Sequence, residues 1–304
     1  MNIIPTILLL IVGVSGACSR PLERFEFTQI RMGTEARIVL YARGEDHART
    51  AAAAAFSRIG SIEDVLSDWQ VHSEVARLRK APTDTWVTIS DDLAGPLVLA
   101  EQIRRQTGGA FDIRCGRATA AWRASRCDGE PPSDVEPVGD ECLTVDVSNA
   151  HIRFTSPVPW LDFGGIGKGW AADEAIIVLA SNGSQAALVD IGGDIAIGHA
   201  PPGLNGWRIS RVDRPSVLTL SHCGVATSGA SQQSIETDGH TWSHLLDPRT
   251  GRWVRSHPNI TVIAPTAAQA DALASAACVL GIVSLRGCVE DDPKIRVLES
   301  DCRP

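Results

Sequence analysis

The residues of this chain with the clearest chemical potential form one short run, Gly164-Gly165-Ile166-Gly167-Lys168-Gly169. Bare backbone amides at a strand-to-helix turn can cradle a phosphate. The run is not a P-loop, because Asp162 stands where the first glycine is required and Gly169 stands where Ser or Thr would bind magnesium. It is not a dinucleotide-binding fingerprint either, since the third glycine is misplaced. By itself the run indicates either a structural turn or a phosphate site.

Histidine and cysteine spacing predicts no metal site. His240 and His244 are four residues apart, as in a helical zinc pair, but their stretch is predicted to be extended. The eight cysteines include no CxxC pair and no Cys/His cluster. Cys278 lies in an apolar helical stretch and is predicted to be a small buried hydrophobic residue. Apart from Cys278 and Cys18, six cysteines can form disulfides in an oxidising compartment, with a connectivity that the sequence leaves open.

The elements that must position these residues mix helices with strands. Helices are predicted at 46–59, 62–66, 91–106, 170–181 and 267–280, and the third has acidic residues at its start and basic residues at its end. Strands are predicted at 35–42, 143–147, 151–155, 187–191, 195–198, 207–212, 217–221, 242–246 and 260–264. Hairpin-like runs of strands, together with isolated helices, favour an α+β fold over a regular βαβ repeat.

The composition is that of a folded protein. The chain has 304 residues, of which 44% are hydrophobic and 21% charged, and this rules out wholesale disorder. The formal net charge of −8 argues against a nucleic-acid partner, because phosphate contacts need clustered cations. No stretch has the composition of an interdomain linker, so we expect a single domain.

The N-terminus is typical of an export signal. Residues 3–14 are almost wholly apolar, and no charged side chain precedes Arg20. About 12 apolar residues are too few to span a membrane, which takes about 20. Small residues follow and then Cys18, which indicates a lipoprotein signal cleaved before a lipidated cysteine. We therefore expect a signal peptide at 1–17 and the mature domain at 18–304, although a buried N-terminal strand or helix is the alternative.

Eight motifs occur in order along nearly all of this mature chain. They are MGT at 32–34, LSDW at 66–69 followed by SEVARL at 73–78, TGGAFD at 107–112, LDFGGIGKG at 161–169, VDIGGD at 189–194, ATSG at 226–229, HLLDPRTG at 244–251 and ADALAS at 270–275. With these motifs the sequence resembles the ApbE family, the FAD:protein FMN transferases. The resemblance implies a single flavin-transferase domain of mixed or antiparallel sheets with packed helices.

The resemblance also implies a reaction and a metal. FAD is the substrate, FMN is transferred to a Thr or Ser hydroxyl of an acceptor protein, and AMP is released. Cleavage of a diphosphate needs a metal to neutralise its oxygens, and Mg²⁺ prefers hard oxygen ligands. By resemblance the ligands are the Asp271 carboxylate, the Ser275 hydroxyl and the Gly165 carbonyl. Asp271 and Ser275 share one helix face at i and i+4; without the family context they would indicate a solvated face.

The resemblance also assigns flavin contacts, at the positions of this sequence that match the family motifs. The resemblance implies an FAD site lined by Met32, Trp69, Ala110-Phe111-Asp112, Asp162, Lys168 and Leu245. Trp69 stands where the family usually has Tyr and can stack on the isoalloxazine, although a core tryptophan is the alternative. Lys168 can hold a phosphate. His244 is a candidate for proton transfer from the acceptor hydroxyl, or it orients the DPRTG turn.

Departures from the family pattern leave other functions open. Ser275 replaces the usual Thr, and Arg114 and Arg117 follow Asp112 where the family prefers an apolar continuation. The alternatives are an Mg²⁺-dependent FAD pyrophosphatase that yields FMN and AMP, a non-catalytic flavin-binding lipoprotein, and a structural lipoprotein. For the transferase, we expect a lipid anchor at the periplasmic side of the inner membrane and a membrane redox protein as acceptor.

Overall fold

The computed structural model describes residues 21–125, 134–137, 142–155, 158–211, 216–229, 234–237, 240–255 and 259–299. The predicted signal peptide at 1–17 and the predicted lipidation site at Cys18 lie outside these residues. Within them, no helix has both the length and the apolar character needed to cross a membrane.

Seven helices form within the described residues. They are α1 (Glu45–Leu66), α2 (Glu74–Leu78), α3 (Asp91–Gln106), α4 (Gly116–Ser125), α5 (Gly167–Ser181), α6 (Ala267–Leu280) and α7 (Ile282–Cys288). The predicted bounds of α3 and α6 are confirmed. The two pieces predicted at 46–59 and 62–66 form a single helix, α1. The predicted start of α5 at Trp170 was wrong, because the last glycines of the run already belong to the helix.

Seven of the fifteen described strands form one antiparallel sheet. The described strands are β1 (Glu23–Arg31), β2 (Thr34–Ala42), β3 (Trp86–Thr88), β4 (Leu143–Asp146), β5 (His151–Phe154), β6 (Ala187–Ile191), β7 (Asp194–Ile197), β8 (Trp207–Ser210), β9 (Val217–Leu220), β10 (Cys223–Ser228), β11 (Ser234–Thr237), β12 (His240–Asp247), β13 (Arg252–Arg255), β14 (Ile260–Ala264) and β15 (Arg296–Glu299). The large sheet has the order β1-β2-β6-β7-β10-β14-β15. Small antiparallel sheets are formed by β3-β5-β4, β11-β12-β13 and β8-β9. The predicted α+β fold is confirmed.

Each face of the large sheet has its own core, because successive side chains of a strand point to opposite faces. On β2, Ile38 and Leu40 join the main core with α1, α5 and α6, and Val39 between them joins a second core. The second core is closed by the β8-β9 hairpin, which contributes Trp207 and Ile209. α1, α5 and α6 therefore cover one face of the sheet, and the small hairpin covers part of the other.

Two tight turns lie side by side at one end of this sheet. The first hairpin turn, residues 32–33, joins β1 to β2, and the second hairpin turn, residues 192–193, joins β6 to β7. All four residues have positive φ, as a two-residue type I′ turn requires. The Gly192 N–H donates to the Glu35 carbonyl at 3.0 Å, which fixes the second turn against β2.

Very close backbone contact joins α5 to α6. A β-carbon built on Gly169 would lie 2.3 Å from the carbonyl oxygen of Ala267, so only glycine fits there. Asp173 of α5 reaches the start of α6, where its two carboxylate oxygens accept the N–H groups of Ala267 and Ala268, each at 2.9 Å. The two helices are thus held at a fixed spacing by main-chain contact and by one capping carboxylate.

Cys278 occupies the core side of α6, as predicted, with 5% of its surface exposed. All five cysteines within the described residues are free thiols (115, 142, 223, 278 and 288), so none of them forms the disulfides that the sequence allowed.

We expect the Cys278 thiol to resist alkylation in the folded protein. Burial raises its pKa to about 12, so little reactive thiolate exists at pH 8. Cys288, half-buried on α7, is the control. Peptide mass spectrometry after iodoacetamide treatment should find Cys288 labelled first, and both labelled in urea. Equal labelling rates in the native protein would contradict this prediction.

Candidate active site

The glycine run, α6 and the two hairpin turns meet at one end of the large sheet. Met32, in the first hairpin turn, points at the start of α5, where its Cε would lie 3.6 Å from a β-carbon built on Gly167. α6 lies against α5 and supplies Asp271 and Ser275 one helical turn apart. The predicted site residues on these elements are therefore neighbours, although they lie far apart in sequence.

A cluster of three charged side chains forms the centre of this region. The Lys168 ammonium donates to the Asp194 carboxylate and lies 3.8 Å from Asp271 Oδ2. Asp271 Oδ2 also accepts the Gly169 N–H at 3.2 Å. Asp194 and Asp271 are only 4% and 5% exposed, whereas the Lys168 side chain remains 30% exposed. The cluster thus has buried carboxylates and a cation that faces the open side.

The environment shifts the pKa of every member of this cluster. Burial, and then the neighbouring Asp194 carboxylate, raise the pKa of Asp271 to about 7. Burial also raises the pKa of Asp194. Burial opposes the charge on Lys168, but Asp194 and Asp271 together raise its pKa, so the ammonium stays protonated. With both carboxylates ionised, negative charge exceeds positive charge here, and a bound cation would offset the difference.

Oxygen donors of three kinds surround the start of α5. The Ser275 Oγ lies 2.9 Å from where a β-carbon of Gly165 would be, so the hydroxyl occupies space that any side chain at Gly165 would fill. The Asp271 carboxylate lies on the same face of α6, one turn earlier. Within the described part of the chain, no three His, Cys, Asp or Glu side chains cluster as metal ligands. A metal here would therefore depend on the carboxylate, the hydroxyl and backbone carbonyl oxygens.

Trp69 lies near this region with most of its ring in solvent. It is 70% exposed, so the prediction of a stacking surface fits better than that of a core tryptophan. The Arg123 guanidinium lies over the ring, 4.2 Å from its centroid. Arg123 also contacts the buried Asp68 carboxylate and lies 3.8 Å from Asp162. One side of the indole is thus occupied by a cation that two carboxylates hold in place.

Two of the predicted FAD-lining carboxylates organise the loops of the site. Asp162 Oδ1 accepts the Gly164 N–H at 2.7 Å and so shapes the beginning of the glycine run. Asp112 is nearly fully buried and pairs with Arg114, whose Nε lies 2.8 Å from Asp112 Oδ1. The carboxylate of Asp112 is therefore already engaged with Arg114.

Of the remaining predicted residues, Phe111 borders the glycine run, and His244 and Leu245 lie on β12, which contacts α6. Ala110 and Phe111 are buried, and Phe111 Cε2 would lie 3.3 Å from a β-carbon of Gly165. His244 and Leu245 are half-buried on β12. The stretch from His240 to His244 lies in β12, so it is extended, as predicted.

Sequence reasoning missed three residues of the site. Asp194 was part of a quoted motif but had no assigned role. An acidic residue directly after two glycines, at the start of a strand, could have indicated a functional residue. Asp68 also stood in a quoted motif, LSDW, without an assigned role, and Arg123 stood in none. Their roles depend on long-range contacts between α4 and the loop after α1, which no local pattern encodes.

Comparison with known proteins identifies the family. The ApbE family model matches residues 32–298. The chain is 28% identical to the FAD:protein FMN transferase of Chlamydia muridarum over 286 residues, which cover 90% of this chain and 89% of that protein. It is 27% identical to the FAD:protein FMN transferase of Vibrio cholerae over 298 residues, covering 90% and 85%.

Solved structures share the fold. The crystal structure of the ApbE protein from Thermotoga maritima superposes with a TM-score of 0.80 at 28% identity and covers 91% of this chain and 94% of that one. The apo flavinyl transferase ApbE of Pseudomonas stutzeri has the same fold, with a TM-score of 0.77 at 22% identity, covering 92% and 96%. The family model spans most of the chain, including every motif of the site, and the chain therefore belongs to the ApbE family.

Proposed function

We propose that this protein is a flavin transferase that moves FMN from FAD to a Thr or Ser hydroxyl of an acceptor protein. The acceptor oxygen bonds to the phosphorus of the FMN half, the diphosphate bridge breaks, and AMP leaves with the bridging oxygen. The observation that carries the proposal is the Lys168–Asp194–Asp271 cluster beside the glycine run, in a chain whose relatives are FAD:protein FMN transferases.

The donor set at the start of α5 fits magnesium. Asp271, Ser275 and the Gly165 carbonyl are hard oxygen ligands, and the carbonyl of Ala274 is a further candidate. The hydroxyl of Ser275 forms no hydrogen bond with any residue that the structure describes, so it is available. A magnesium ion held there would neutralise the diphosphate oxygens and favour attack at phosphorus.

The protein's own residues would bind and orient the dinucleotide. Lys168, a cation held by two carboxylates and exposed on one side, would contact a phosphate oxygen. Trp69 would stack on the flavin ring with its open face, and Met32 would contact the ring from the first hairpin turn. His244 is our candidate to take the acceptor proton, from its position on β12.

Localisation and acceptor form a separate part of the proposal. The apolar N-terminus followed by Cys18 supports export and lipidation, and hence an anchor at the periplasmic side of the inner membrane. A membrane redox protein carrying the target Thr or Ser is the acceptor that such an anchor would meet. Mass spectrometry of the mature N-terminal peptide from a membrane fraction tests this. An unmodified residue after residue 17, or a retained leader, would refute the lipid anchor.

The reaction is tested by incubating the protein with FAD and Mg²⁺, with and without a co-expressed candidate acceptor. We expect intact-mass analysis to find FMN added to the acceptor only when protein, FAD and metal are all present. Free FMN and AMP at equal rates in both mixtures would support the pyrophosphatase instead. FAD that stays bound and intact would support a flavin carrier.

Arg123→Ala is expected to weaken FAD binding about tenfold, because the change removes the cation over Trp69. It also removes one of the positive charges that balance the buried Asp68 carboxylate. Flavin fluorescence titration measures the Kd. Arg117→Ala is the matched control: it lies on the same helix but over Trp160, 5.1 Å from its centroid. Equal effects of the two variants would show that Arg123 has no special role at Trp69.

A further inference from the structure

The face of the large sheet opposite the helices carries a cavity of about 720 Å³, between the sheet and the β8-β9 hairpin. Tyr41, Ile195 and Leu218 line it as half-buried apolar residues packed against the second core. The Lys168–Asp194–Asp271 cluster lies on the other face, where α5 and α6 pack. This cavity is therefore separate from the site described above.

The cavity combines an apolar floor with a positive wall. Of the residues that the structure describes, four arginines line it, Arg24, Arg37, Arg208 and Arg211, against one acidic side chain, Asp190. Asp190 pairs with Arg37 at 3.0 Å, and Glu26 nearby pairs with Arg24. Among the described residues, and without counting Arg211, the three other arginines outnumber these two carboxylates, although the whole chain carries a formal net charge of −8. A negatively charged occupant matches this wall.

One end of the cavity reaches the end of the sheet where the cluster lies. Gly193 of the second hairpin turn lines the cavity, and the next residue, Asp194, holds Lys168 on the opposite face. Thr227 lines the cavity beside Thr261, with their hydroxyl oxygens 2.9 Å apart. The second hairpin turn therefore lies between this end of the cavity and the Lys168–Asp194–Asp271 cluster.

We propose that this cavity is the docking groove for the acceptor protein, which enters it as an extended segment with alternating apolar and acidic side chains. Alternation follows from strand geometry: one set of side chains would lie on the apolar floor and the other would face the arginines. The target hydroxyl would follow at the end near Gly193. This inference depends on the proposed function, since it supplies the second substrate of that reaction.

The test uses the full chain with FAD and Mg²⁺ and three fluorescein-labelled ten-residue peptides. In each peptide, Val or Leu alternates with polar residues, and the last residue is Thr. The polar residues are Asp and Glu in the acidic peptide, Asn and Gln in the amide peptide, and Lys in the basic peptide. Fluorescence polarisation should show that the acidic peptide binds at least about tenfold more tightly than the other two, and that added salt weakens its binding. Equal affinity for the acidic and amide peptides would overturn the proposal.

Charge reversal locates the binding surface. Arg208 is exposed on β8 and lines the cavity, so Arg208→Glu should weaken binding of the acidic peptide by about tenfold. Arg49→Glu, a charge reversal at another exposed arginine, on α1, should leave it unchanged. Displacement of the peptide by AMP, or equal loss in both variants, would overturn the groove as an acceptor site.

Peptide binding and FMN transfer separate this inference from the proposed function. If the acidic peptide binds most tightly and Arg208→Glu weakens that binding, but no FMN is added to the peptide threonine, the result would support the groove and count against the reaction. FMN transfer to an acceptor at the same KM in wild type and Arg208→Glu would support the reaction and overturn the groove.

Discussion

Replacing Asp271 with asparagine is expected to lower FMN transfer by about 10³-fold or more while the protein stays folded. The amide oxygen can still accept the Gly169 N–H, and Lys168 keeps Asp194 as its partner, so the local structure survives. What is lost is the charged oxygen that would bind the metal. Initial rates of FMN transfer at saturating FAD and Mg²⁺, together with circular dichroism, measure both effects.

The hydroxyl of Ser275 provides the matched control for this prediction. Ser275→Thr keeps the oxygen and should retain most of the activity, whereas Ser275→Ala should raise the Mg²⁺ concentration needed for half-maximal rate. Because the pKa of Asp271 is raised to about 7, protons compete with the metal as the pH falls below 7, and this requirement should grow at pH 6. Full activity of Asp271→Asn would refute the metal assignment.

Gly169→Ala is expected to destabilise the protein by about 3 kcal/mol or more. The new β-carbon would lie 2.3 Å from the Ala267 carbonyl oxygen, and backbone cannot rotate away as a flexible side chain can. α5 and α6 would have to separate, which would also disturb the hydrogen bond from Gly169 to Asp271. Urea unfolding followed by tryptophan fluorescence gives the change in free energy.

Gly60→Ala shows what the same substitution does without the close contact. Gly60 lies inside α1, and a β-carbon there would meet nothing within 4 Å. Alanine favours the helix, so this variant should gain up to about 1 kcal/mol. If Gly169→Ala were as stable as Gly60→Ala, the tight packing of α5 on α6 described above would be wrong.

Local sequence signals predicted the helices better than the sheet. Ser90 and Thr266 cap α3 and α6 with their side chains, and these helices began and ended where the sequence indicated. Gly60 and Ser61 suggested a break in α1, but Ile59 and Ile62 on either side are both fully buried, and their packing carries the helix through. The strand order pairs β2 with β6 and β10 with β14, contacts between distant segments that no local pattern specifies.

The site likewise divides into residues that local sequence motifs predicted and residues that only the tertiary fold brings together. The spacing of Asp271 and Ser275 and the glycine run were visible as motifs, and the structure places them together. The partner of Lys168 and the cation over Trp69 were not visible, because Asp194 and Arg123 reach their positions through the tertiary fold. Side chains that act through a neighbour on another element leave no periodic or spacing signal in the chain.

The main-chain contact between α5 and α6 limits how far the site can rearrange during a reaction cycle. Where alanines and glycines touch, no rotamer can change the distance between the helix that carries Lys168 and the helix that carries Asp271. The carboxylate of Asp173 clamps the same junction. The charged groups are therefore preorganised by the scaffold, so that little reorganisation energy is spent when charge develops on a substrate.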